Sequence, residues 1–252
     1  MPKKTVALAD RSKQLSEPQS QARRAFHDNM DWVVHMLRYL KLELAALNRR
    51  ITRLTTSVKK SGRATMSKQQ SARLVSRIRL ASDRVVFSLE WIPVIVVTIV
   101  ETYLLDIFIS AAGLDESIMD DSKQTIQYEE LLKASSLEDL LIEMRRRRAR
   151  NWIDRTGPRG WIDRLETMGA KGFAPETASQ LERLWGTRHV VVHNAGIVTR
   201  DFLTNHPSSG AVLGKRVPAT LPLQRGWSTA AFDFATTTDA YFITRIPALI
   251  AN

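Results

Sequence analysis

The chain contains no cysteine. Disulfides and cysteine-based zinc sites are therefore excluded, and the composition suits a reducing compartment. It also lacks a phosphate-binding loop. Gly210 and Gly214 stand alone, and no Gly-Lys-Ser/Thr follows either of them. No Ser-His-Asp pattern supports serine chemistry, and no internal repeat is present. Met1-Pro2-Lys3-Lys4 is charged, but no apolar core of sufficient length follows it, so a secretory signal is not expected. The expected location is cytoplasmic, with no membrane partner and no cofactor.

Basic residues, in contrast, are plentiful and unevenly placed. The net charge is +11 over 252 residues. Residues 1–90 hold 19 Lys/Arg against 7 Asp/Glu, whereas residues 91–252 hold 18 against 19. The whole basic excess belongs to the N-terminal third. A block of this kind attracts a polyanion such as nucleic acid. A solubilising tail or a contact with anionic lipid is the plainer alternative.

Periodicity divides the chain into helices. Residues 1–22 are polar and aperiodic, which reads as a disordered tail. From Arg23 to Leu54 apolar residues recur at helical spacing, with Arg38, Lys41, Arg49, Arg50 and Arg53 on the polar side. His27 and His35 lie on nearly one side of this helix, but without a third ligand they read as ordinary polar residues. Thr55 to Gln70 forms no apolar face and reads as a basic linker. Ser71 to Ala112 is mostly helical, with a new helix expected at Pro93. The apolar run from Trp91 to Ile109 approaches the length of a membrane span. Glu101 and Asp106 argue instead for the buried central helix of a bundle.

Residues 114–125 are acidic and loop-like, and Ile126 to Lys133 is a short helix. Ser135-Ser136-Leu137-Glu138 offers a capping box for the next helix, whose end carries Arg145 to Arg148 and Arg150. Gly157-Pro158 breaks it. Trp152 and Trp161 are read as core anchors. Val212 to Leu223 is expected as a short hairpin, and Trp227 to Ile250 as a last helix.

One stretch carries chemistry. Pro175 and Glu176 open a helix and Gly196 closes it at a left-handed position. Near its end stand Arg188, His189, His193 and Asn194. A neutral imidazole can take the proton of a ribose 2′-hydroxyl. A guanidinium can grip the scissile phosphate and offset the charge growing on its oxygens. Five residues of separation put Arg188 and His193 roughly 140° apart on the helix, so the length of Arg or a second copy of the helix must bring them together. The intervening Val190-Val191-Val192 would anchor the helix in the core. Gly186 weakens the helix by about 1 kcal/mol against Ala, a loss that suits close approach of another group.

Arg188-His189-Val190-Val191-Val192-His193 resembles the Arg-(four to six residues)-His motif of HEPN domains, an all-helical family rich in RNA-cutting toxins and antiviral effectors. His189 fills the polar slot after the Arg, and Asn194-Ala195-Gly196-Ile197-Val198 resembles the common ending of that helix. Glu101-Thr102-Tyr103-Leu104-Leu105-Asp106 looks like the acidic apolar helix that packs beside the motif in several branches. The resemblance covers about residues 80–250. It implies an all-α, HEPN-like bundle over 71–252, with a small β-hairpin insert, after a helical extension at 23–70.

The implied activity is a metal-independent endoribonuclease that leaves a 2′,3′-cyclic phosphate. It implies a homodimer that takes RNA as substrate and serves as a toxin or defence effector, with an antitoxin or regulatory subunit as a possible partner. In that reading His193 is the general base, Arg188 stabilises the transition state, His189 and Asn194 orient the pair or contact phosphate, and Glu101 supports them. Some branches are controlled through a Tyr two residues after the motif His. Here that position is Ala195.

Three rival readings remain open. His189 and His193, four apart, share a helix face as zinc ligands do, but Val190 stands where a metalloprotease has Glu. A catalytically silent HEPN module would sense a ligand or bind a partner. A nucleic-acid-binding protein would act through its basic N-terminal arm.

Overall fold

The computed structural model describes residues 19–60, 67–119, 126 and 128–250. It is almost entirely helical, and no strand occurs among the described residues. The elements are α1 (Gln21–Lys60), α2 (Lys68–Leu114), α3 (Tyr128–Lys133), α4 (Leu137–Thr167), α5 (Pro175–His193), α6 (Arg200–Asn205) and α7 (Leu221–Arg245). Short 3₁₀ turns lie at Glu116–Met119, Pro207–Ser209 and Pro247–Leu249. The chain folds as two compact units. One comprises residues 1–27, 101–173 and 234–252, and the other residues 28–100 and 174–233.

The first unit is built around aromatic residues. Phe108 packs on Trp152 and Phe242, with ring centroids 4.6 and 5.2 Å away. Trp161 is buried against Phe234, and its indole N–H donates to the carbonyl of Ile153 at 3.1 Å. Trp152 and Trp161 are thus core anchors, as their setting in the sequence suggests. Tyr103 is buried and donates to the carbonyl of Ala235 at 3.0 Å, and burial pushes its phenol well above the ordinary range.

The N-terminal segment is ordered from earlier than expected. Gln19 and Ser20 are buried, and the Ser20 hydroxyl accepts from the Arg23 N–H at 3.1 Å while donating to the Asp239 carboxylate. Ser20 is thereby a cap for α1 and a tie to α7. Residues 1–18 of the expected tail lie outside the described residues. So do residues 61–66 of the expected linker, whose flanks continue α1 to Lys60 and start α2 at Lys68. Half of the acidic loop, at 120–125, is also outside them.

In α4, Ser136 is the N-cap and accepts from Asp139 N–H at 3.1 Å. The capping pair sits one residue later than the Ser135–Glu138 reading. The arginine run lies in mid-helix rather than at an end, because the helix continues to Gly157. There φ is 63° and ψ −177°, a conformation open to glycine, and Pro158 follows. The expected break is present at that point.

The second unit holds α1 from Asp28 and α2 up to Val100. Met30, Val33, Leu37 and Leu40 line the buried side of α1, while Arg38, Lys41, Arg49, Arg50 and Arg53 face solvent. On α2 Val85, Leu89, Ile92 and Val96 are buried. Residues 72–114 are long and apolar enough to cross a membrane by length and composition, but half of the apolar window is buried within the fold.

Pro93 does not start a new helix. The helix runs through it from Lys68 to Leu114. Proline has no N–H to give to the carbonyl four residues back, which here is Leu89. The side chain of Gln224, fully buried on α7, donates to that carbonyl instead at 2.8 Å. The vacant acceptor is filled from another helix, so the break read from the sequence is not required.

The expected hairpin at 212–223 does not form. Residues 214–217 pair instead with 196–198. Val198 N–H donates to Lys215, Val217 N–H to Gly196 and Gly214 N–H to Val198, at 2.9, 2.8 and 3.0 Å. Only one antiparallel bridge results, Ile197 with Arg216. Leu221 to Leu223 already belong to α7, where Pro222 is tolerated in the first turn.

Gln224→Leu is expected to destabilise the protein by about 1–3 kcal/mol, by leaving the Leu89 carbonyl buried and bare. Pro93→Ala restores a backbone donor, so it should recover much of that loss in the double variant. Urea unfolding of the wild type, both singles and the double checks this. Additive losses would show that Gln224 acts in some other way.

Candidate functional site

Helix α5 is oriented by its buried stripe. Thr177, Leu181, Leu184, Thr187 and Val191 face inward at intervals of four, three, three and four residues, with Val190 buried beside them. Pro175 is its first helical residue and Glu176 lies in the first turn. Val190 and Val191 join Val198, Phe202 and Val217 in one apolar cluster. Val192 does not share this role and is 41% exposed. Two of the three valines therefore anchor the helix.

The opposite side carries the polar residues. His189 and His193 are exposed, one turn apart, with ring centroids 4.6 Å apart and planes inclined at 43°. Arg188 is half-buried, and its guanidinium lies 5.7 Å from the centre of the Trp185 ring, a cation–π contact that limits where it swings. Arg188, His193 and Asn194 form no side-chain hydrogen bond among the described residues. Among those residues no group of three or more His, Asp or Glu is arranged to hold a metal ion.

The helix ends in a tight cap. Asn194 N–H and Gly196 N–H both donate to the Val190 carbonyl at 3.0 Å. Ala195 and Gly196 have φ of 50° and 77°, so the left-handed turn spans two residues rather than Gly196 alone. Ala195 is exposed and is the one described non-glycine residue with positive φ.

The structure brings His189 and His193 side by side in the last turns of α5; Arg188, on the same turns, is turned onto Trp185, and Asn194 is the C-cap residue. Glu101 belongs to the first unit, the motif to the second. Glu101 is half-buried on α2. The carboxylate placed near the motif within its own unit is Glu90, 3% exposed. Arg216 donates to both its oxygens through Nε and Nη2. That contact holds the Arg216 guanidinium above its ordinary range. A methyl group on Gly196 would stand 3.6 Å from Arg216 Nη2 and 3.9 Å from Glu90 Oε2, so the pair lies against the end of the motif helix. The sequence offered one signal for this: Glu90 is an acid immediately before an apolar run. Arg216 carried none.

His206 is the other residue that the sequence did not mark. Its half-buried ring stacks on Phe202, with centroids 4.9 Å apart, and fills the space above Gly186. A Cβ at position 186 would come within 2.2 Å of His206 Nε2. Gly186 thus admits a neighbouring side chain against α5. Arg183 fastens the same loop, donating to the Ser209 carbonyl at 2.6 Å. Burial lowers the His206 pKa below 6.5, with Glu182 opposing and Arg183 adding to that shift.

No protein-family model matches the chain, and no characterised protein or solved structure is significantly similar to it.

Gly186→Ala is expected to cost about 1–3 kcal/mol of stability through overpacking on His206. In a His206→Ala background the same change should stabilise by about 1 kcal/mol, because only helix propensity remains. Chemical unfolding of the four proteins tests the pairing, and equal effects in both backgrounds would reject it. The His206 pKa is lower folded than unfolded, so its stabilising contribution is present above pH 6.5 and lost as pH falls below it. Melting between pH 7 and 5 should therefore drop further for wild type than for His206→Gln.

Proposed function

We propose that the protein is a metal-independent endoribonuclease whose domain is HEPN-like. The observation that carries this reading is the pair of exposed imidazoles, His189 and His193, 4.6 Å apart at the end of the helix that also bears the half-buried Arg188 and Asn194. The helix is held by Val190 and Val191 behind it and by the Glu90–Arg216 pair beside it.

In this mechanism His193 takes the proton of a ribose 2′-hydroxyl. The 2′-oxygen attacks the adjacent phosphorus, and the bond to the 5′-oxygen breaks. The departing oxygen takes up a proton from solvent, and His189 orients the pair or contacts the phosphate. Arg188 stabilises the charge on the non-bridging oxygens, and Asn194 contacts the phosphate. The products are a 2′,3′-cyclic phosphate and a 5′-hydroxyl. A homodimer would set two such helix ends facing each other. Trp32, Tyr39 and Leu42, exposed on α1, offer apolar area for self-association. Cytoplasmic action as a toxin or defence effector, restrained by an antitoxin or regulatory subunit, belongs to the same proposal. The supporting role of Glu101 that the resemblance implies belongs to the same proposal.

A silent module that binds a ligand or partner is the second reading. It is favoured by the cation–π contact that holds Arg188 on Trp185, with no bond to His193.

Wild type is expected to cleave tRNA or total RNA in excess EDTA. Arg188→Ala should lower kcat about 10²–10³-fold, and His193→Ala about 10²–10⁴-fold. Cleavage products are read by mass spectrometry. A plain 3′-hydroxyl, or equal cleavage by all three proteins, would sink the nuclease reading.

A further inference from the structure

Within the second unit, α1 and α2 enclose a groove of about 580 Å³. Its floor is apolar, with Leu47, Leu74 and Ile78, and its rim carries Arg50, Arg53, Arg77 and Arg84. No carboxylate lines it. None of the four arginines has an ion pair or hydrogen bond among the described residues. Arginines gathered without a counter-charge repel one another, so their common groove is suited to an anion. Arg77 and Arg84 are seven residues apart on one helix, roughly 10 Å along its axis. The charge is drawn out as a track rather than gathered to a point.

Arg84 also lines a second hollow, of about 440 Å³, together with Asp83, Val86, Phe87, Glu90 and Arg216; Glu90 is already paired with Arg216, and Asp83 is the one further acid there. Phe87 is 58% exposed and tilts against Trp91, with centroids 6.0 Å apart. Arg216 lies against Gly196, three residues beyond His193. The two hollows share Arg84, so guanidinium groups and one exposed aromatic face lead from the far end of the α1–α2 groove to the end of the motif helix.

We infer that this track is the binding path for single-stranded RNA. Phosphates lie on Arg50, Arg53, Arg77 and Arg84, and a base stacks on Phe87 as the strand approaches His193. A concave groove admits a strand but not a flat bilayer, and a rim of arginines repels a second copy of itself. A single strand is chosen over a duplex because stacking on Phe87 needs an unpaired base. The inference deepens the nuclease reading by naming how its substrate is held, and it rests on that reading only for the choice of RNA.

Binding is measured on the full-length His193→Ala protein, so that substrate stays intact. The probe is a fluorescein-labelled 12-nucleotide oligouridylate, followed by anisotropy from 50 to 300 mM salt. Arg77→Gln/Arg84→Gln and, separately, Arg50→Gln/Arg53→Gln should each weaken binding about tenfold or more. Each pair should reduce the log–log salt slope by about 1.4, at about 0.7 per phosphate contact. Phe87→Ala should weaken binding about tenfold with the slope unchanged. Circular dichroism and melting confirm folding, and should either pair fail to fold, the other pair, on the opposite helix, carries the test.

Oligouridylate binding unaltered by both arginine pairs overturns the inference. So does loss of binding to vesicles of phosphatidylcholine and phosphatidylserine at 3:1 without loss of RNA binding, which would mark a lipid contact. Duplex RNA bound as tightly, with Phe87→Ala neutral, overturns the single-strand path. Binding along the track without cleavage by wild type would end the nuclease reading and leave this one standing. Cleavage that is indifferent to the track would do the reverse.

Discussion

The second unit depends on a carbonyl that proline leaves bare. Pro93 cannot donate to Leu89, and an unpaired buried carbonyl in the middle of an apolar helix is costly. The amide of Gln224 fills it. With that acceptor satisfied, α2 continues unbroken from Lys68 to Leu114. Glu90, next to Leu89, is then carried into the interior, where a lone carboxylate would be strongly disfavoured. Arg216 answers it with a two-pronged contact. Arg216 also pairs through its backbone with Ile197, directly after the motif helix. A single missing N–H thus leads, through two compensating side chains, to the position of the helix end that bears His193.

The same geometry explains why the candidate site is exposed yet ordered. Val190 and Val191 hold the inner side of α5. The double left-handed turn at Ala195 and Gly196 stops the helix immediately after the polar residues. Gly186 lets His206 close over the preceding turn. His189 and His193 are left facing solvent on a helix end whose inner side is anchored in the core. The guanidinium of Arg188 rests on Trp185 and is therefore directed by an aromatic face rather than by a carboxylate.

Charge is arranged on a larger scale around this site. The basic excess of residues 1–90 is not spread evenly over α1 and α2. Part of it converges on a groove with an apolar floor and no acid, and Arg84 links that groove to the hollow beside Glu90 and Arg216. A basic extension and a helix motif, separate features along the chain, become parts of one unit because α1 from Asp28, α2 to Val100 and α5 fold together.

The sequence by itself determined the helical class, because apolar residues recur at three and four over most of the chain. It also determined the limits of α5, since Pro175 and Gly196 act locally, and the break at Gly157-Pro158. Setting His189 beside His193 needed nothing more than 3.6 residues per turn. Tertiary structure decided the rest. Pro93 is continuous with its helix because Gln224, far away in sequence, supplies a donor. Residues 214–217 pair with 196–198 rather than among themselves, because the backbone after α5 offers partners that a local hairpin pattern cannot reveal. Glu90 stands beside the end of the motif helix, held there by Arg216, a partner 126 residues away that no local pattern in the sequence names. Periodicity reports which side of a helix is buried; it carries no information about which residue of another helix will meet it.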